Sequence, residues 1–63
     1  MTSIKSIMEV HEQKKSLIIS QYSNAMVYST SIDSFNNLKS QMQKELDALN
    51  EDTILKIREN YMI

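Results

Sequence analysis

From Ile4 onward, residues recur at alternating steps of four and three: Ile4, Met8, His11, Lys15, Ile18, Tyr22, Ala25, Ser29 and Ile32. That spacing keeps to one side of an α-helix, as an apolar stripe interrupted by polar residues. Ile7 widens the stripe at its start, as do Ile19 and Met26 further along. A second stripe is cleaner: Phe35, Leu38, Met42, Leu46, Leu49, Thr53, Ile57 and Tyr61. The faces around it carry Asn36, Lys39, Gln43, Lys44, Asp47 and Glu51, an ordinary solvated helix surface. The pattern predicts one helix over about 4–28 and another over about 33–61.

Between the stripes, Tyr28-Ser29-Thr30-Ser31-Ile32-Asp33-Ser34 is crowded with hydroxyl and carboxylate side chains. Such groups compete with the helix for backbone hydrogen bonds, so the turn is expected at about 29–32. Thr30, Ser31 or Asp33 is placed to cap the second helix, and Ser3, or Ser6 with Glu9, to cap the first. An uninterrupted rod is the competing arrangement, and the β-branched and aromatic content of Met26 to Ile32 leaves a local strand as a third. Asn50-Glu51-Asp52-Thr53 offers a second break, at 50–52.

Composition sharpens this picture. The 63 residues include no glycine, proline, cysteine or tryptophan, so the usual punctuation of folded chains is missing and any turn has to be tight or built from hydroxyl caps. The expected architecture is all-α, a single helical domain over 1–63 in the form of a hairpin. A chain this short sits near the lower edge of independent folding. An elongated two-helix hairpin buries less than a compact globule, so a homodimer resembling a four-helix bundle is expected to complete the core. Ile18, Tyr22, Phe35, Leu38, Met42, Leu46, Leu49 and Ile57 are the expected core and dimer-interface residues.

Charge narrows the function. Seven basic and eight acidic residues give a net charge of -1, which is no polycationic field for a phosphate backbone. Lys14 and Lys15 are the only basic pair, and Arg58 is the only arginine, so direct nucleic-acid recognition is not expected. The start of the chain has neither a signal-peptide core nor an apolar span, which points to no membrane insertion and to the cytoplasm. The absence of cysteine suits a reducing compartment.

Candidate chemistry is sparse. His11 stands between Glu9 and Glu12 without a second histidine or a thiol at ligand spacing, so no metal and no cofactor is expected, and its plain role is on a packed helix face. A histidine-controlled, pH-sensitive dimer is the sharper alternative. The carboxylates Glu45, Asp47, Glu51, Asp52 and Glu59 read as solvated surface, and no nucleophile is paired with a base, so no enzymatic role is expected. Apolar residues off the stripes say more: Val10, Leu17, Ile19, Val27 and Leu55, with Met26 and Met62 beside them. A lone hairpin cannot cover them all. They suit self-association, or a patch for another protein to which Lys14 and Lys15 add charge.

The opening MTSIKSIMEVHEQKKSLIISQYS and the later QMQKELDALNEDTILKIREN, over the full length, resemble the very short helical products of the exo-xis region of lambda-like bacteriophages. The resemblance implies an early phage protein in the host cytoplasm that tunes the lysis-versus-lysogeny decision or host cell-cycle behaviour, and it supplies no site residues. The expected work is regulatory docking on a host or phage protein. The alternatives are a dimeric nucleic-acid-associated regulator presenting Lys5, Lys14 and Lys15 twice, and a purely structural assembly unit.

Overall fold

The structure, a computed structural model, describes residues 3–61. It is a helical hairpin: α1 runs Ile4–Val27 and α2 runs Ile32–Tyr61, with no strand among the described residues. Met62 lies outside the described residues.

Both helices start with the same short device. Ser3 precedes α1, and its side chain accepts a hydrogen bond from the Ser6 backbone N–H at 3.1 Å while the two hydroxyls stand 3.0 Å apart. Ser31 does the same for α2 with Ser34, again at 3.1 and 3.0 Å. The five-residue runs Ser3-Ile4-Lys5-Ser6-Ile7 and Ser31-Ile32-Asp33-Ser34-Phe35 share one pattern, in which a serine satisfies an orphan N–H in each first turn. Ser6 therefore serves the Ser3 cap and does not pair with Glu9 as the N-cap of its own box. Asp33 adds a negative charge in the first turn of α2, where the helix dipole favours it.

The turn is made without glycine and without any left-handed residue. Tyr28 ends α1 at φ -93° and ψ 4°, in the bridge region between helix and strand. Ser29 then closes the end by donating its hydroxyl to the Met26 carbonyl at 2.7 Å, one of the carbonyls a helix end leaves unpaired. The reversal occupies residues 28–31. Asn50, Glu51 and Asp52 do not interrupt the chain there: α2 is continuous through them, and Asp52 is tied to Lys56 one turn on at 3.1 Å.

Packing follows a repeat longer than the one the first stripe suggests. The described residues of the first half that are not exposed are Ile7, His11, Lys15, Ile18, Tyr22, Met26 and Ser29. Those of the second half are Leu38, Met42, Leu46, Leu49, Thr53, Ile57 and Asn60. Both sets step by four, four and three. An eleven-residue repeat is about 3.67 residues per turn, on the other side of 3.6 from a heptad, so it favours nearly straight helices over a left-handed coil.

The core of this hairpin is thin. Ile7 and Leu49 are its buried hydrophobic residues, at 6% and 9% exposure, with His11 and Thr53 buried between the same helices. The Cα envelope measures 49 × 16 × 7 Å, a single layer where domains ordinarily have two. Its radius of gyration is 14.8 Å, against about 11 Å for a compact chain of this length.

Candidate functional site

Antiparallel pairing brings the start of α1 against the last third of α2. There, Ser6, Ile7, Val10, His11 and Lys14 from one helix and Leu49, Asp52, Thr53 and Lys56 from the other line a groove of about 200 Å³. Ile7, Val10 and Leu49 make it apolar. His11 Nδ1 and Thr53 Oγ1 share a hydrogen bond of 2.9 Å across the helix interface, which meets the requirement that buried polar groups find partners. Among the described residues no buried side-chain nitrogen or oxygen is left without one. His11 is thus a polar tie between the helices, and no group of three or more His, Cys, Asp or Glu side chains among the described residues gathers to hold a metal.

One turn of the packing repeat further along α1 from Ile18, Tyr22 lies half-buried. The Glu45 carboxylate beside its hydroxyl raises its pKa above the ordinary 10.0, through a hydrogen bond first, with desolvation and charge repulsion adding to it. A raised phenol pKa means that the fold prefers the neutral form. The contribution is therefore complete below pH of about 10 and is lost as pH rises through the higher folded value. Glu45→Gln is expected to bring the Tyr22 titration, followed by NMR of its ring, back toward 10.0. An unchanged titration would show that Glu45 is not the cause.

The surface divides by charge. All seven basic and all eight acidic residues fall outside residues 16–32. The same segment holds the four most exposed large hydrophobic residues among those described: Tyr28 at 83%, Ile32 at 78%, Val27 at 76% and Leu17 at 63%. A segment without charge of its own and with aromatic and aliphatic side chains open to water has the composition of an interface centre. This charge-free segment carries no motif, which is why reading the chain motif by motif passes over it.

Of the residues expected in the core, Leu49 is buried, and Ile18, Tyr22, Leu38, Met42, Leu46 and Ile57 are half-buried. Phe35, expected in the core or dimer interface, is 40% exposed in the single hairpin, in the first turn of α2, three residues before the packed positions begin at Leu38. The residues expected at a partner surface are spread over both helices. Lys14 lines the groove, while Lys15 is half-buried on the packed side and so is not a free surface cation. Its stem covers apolar surface, as long charged side chains do. Ile19 and Val27 are exposed along α1, and Leu55 lies on α2 with Glu51, Ile54 and Arg58 around a shallow depression. The structure does not bring Leu55 together with Lys14.

Among the described residues no helix is long and apolar enough to cross a membrane. The chain matches no protein-family model, no curated protein and no solved structure.

Proposed function

We propose that this protein is a helical interaction module that works by docking, as a homodimer whose outward surfaces engage another protein and change its activity by occupancy. The observation that carries this reading is the thin core. No side chain of the hairpin is fully buried, and its accessible surface of 4993 Å² exceeds by about 800 Å² what a compact monomer of this mass exposes. Small chains with so little interior draw the rest of their stability from association. No chemical step is involved. In the setting that the phage resemblance implies, an early protein in a host cytoplasm, the docked factor is a host or phage protein and the outcome is a shift in phage development or host cell cycle.

Sedimentation equilibrium over a wide concentration range, with far-ultraviolet circular dichroism on the same samples, tests the reading. A helical dimer is expected. A poorly helical monomer would mean that a different chain completes the fold, which keeps docking and removes self-association. A fully helical monomer at every concentration would show that the hairpin is self-sufficient, and the reading would fall.

A further inference from the structure

We propose that two copies of the chain meet through the uncharged face of α1 and its C-cap, formed by Leu17, Gln21, Asn24, Val27 and Tyr28, about a two-fold axis crossing α1 at the level of Tyr22 and Ser23. This rests on the docking reading above and adds to it the occupant, the face and the orientation.

Spacing defines the face. Leu17 and Tyr28 are eleven residues apart, one full repeat of the helix packing, so they point the same way. Gln21 and Asn24 fall between them at steps of four and three, and Val27 borders them. Leu17, Val27 and Tyr28 are 63%, 76% and 83% exposed, so the hairpin itself uses little of them.

Charge selects the second copy as occupant. A two-fold contact sets each patch against itself, so a net charge on it would repel its own copy. Residues 16–32 carry none. The segment is bordered by Lys14 at one end and by Asp33 at the other. Antiparallel meeting brings the basic border of each copy over the acidic border of its mate, whereas parallel meeting would set like charges together. The axis places Leu17 opposite Tyr28 of the second copy, and Gln21 opposite Asn24, where two amides can exchange hydrogen bonds.

Area agrees with this choice. The surplus of about 800 Å² over a compact monomer is the amount that one partner contributes to an interface of standard size. A second layer against the 7 Å thick envelope also restores the two-layer arrangement of ordinary domains.

The test uses two kinds of variant, assayed by sedimentation equilibrium with circular dichroism. Leu17→Lys and Tyr28→Lys place a charge on the axis-related patch at positions open enough to leave the hairpin folded. Each is expected to raise the dimer dissociation constant by at least about tenfold with helicity kept. The chain has no cysteine, so a mixture of Gln21→Cys and Asn24→Cys chains carries only the introduced thiols. It is expected to form the mixed disulfide faster than Ser40→Cys chains link to one another. A dimer of parental strength in both lysine variants would overturn the face while leaving docking in place. A parental chain that is monomeric and poorly helical would overturn the second copy as occupant. A parental chain that is monomeric and fully helical would overturn both readings.

Discussion

Leu49→Asp is expected to abolish the helical fold at neutral pH. Leu49 is the one buried hydrophobic residue of α2 and packs in the groove wall with Ile7, Val10, His11 and Thr53. Removing such a side chain costs about 2–5 kcal/mol even when alanine replaces it. A carboxylate at the same place adds a desolvation penalty of several kcal/mol, which Lys14 and Lys56 at the rim of the same groove offset only in part. The whole stability of a chain this size is on the order of 3–9 kcal/mol. The sum exceeds it. Leu49→Met, which keeps the volume nearly constant, should cost less than about 1.5 kcal/mol. Far-ultraviolet circular dichroism and thermal melting of the two variants decide the matter. If the aspartate variant kept the parental helicity and melting temperature, Leu49 would not be a core residue and the register of the hairpin would have to be redrawn.

How much of this was legible beforehand depended on which helix was being read. On α2 the stripe from Leu38 to Ile57 names the inward residues one by one, because nearly every inward position there is apolar and most of the outward ones are charged or amide-bearing, Ile54 and Leu55 apart. On α1 the contrast is weaker: His11 and Lys15 face inward while Leu17 faces out, and Val10, in the groove wall, stays 44% exposed. An alternation of four and three therefore matched the middle of the stripe and drifted at its ends. It chose Met8 where Ile7 is buried, Ala25 where Met26 packs, and Ile32, which is 78% exposed. A heptad slips by roughly 20° per repeat against a straight helix, and an eleven-residue step slips by about as much the other way but over a longer repeat, so it follows the packed side more closely. The turn chemistry was readable because a chain without glycine has few ways to end a helix. Serine hydroxyls were the remaining one. The choice among Thr30, Ser31 and Asp33 was not readable, since all three can cap, and the structure shows Ser31 accepting from the Ser34 N–H.

The polar tie between the helices was half visible. His11 and Thr53 each fall on an apolar stripe, but nothing in one dimension says that positions 42 residues apart meet at 2.9 Å. Their pairing follows from the turn position and from antiparallel register together. The charge-free segment behind the proposed dimer face needed the structure for a different reason. A gap in charge is only a composition until burial shows that Leu17, Val27 and Tyr28 are left open within it.

Thr53→Val is expected to destabilise the hairpin by about 1–3 kcal/mol, the cost of leaving a buried polar group unpaired. Valine fills nearly the same space, so the loss isolates the hydrogen bond that Thr53 makes with His11 Nδ1. For a domain of this size that corresponds to a melting temperature lower by roughly 5–20 °C. His11→Leu combined with Thr53→Val replaces both partners by apolar groups and should recover most or all of the loss, so the double-mutant cycle is expected to show strong coupling. Recovery of stability would leave open what the pair is for, and register answers that. With His11 present, sliding α2 by one packing step would set it against Leu49 or Ile57, which offer no hydrogen bond. A buried polar pair thus penalises the wrong alignments of two helices whose other inward residues are mostly apolar. The double variant is accordingly expected to be as stable as the parent and less uniquely aligned, with more than one amide resonance for residues of α2 in a two-dimensional NMR spectrum. A single set of resonances in that variant would mean that the turn and the apolar seam fix the register without His11 and Thr53. Unchanged melting of Thr53→Val would mean that their hydrogen bond contributes nothing to stability.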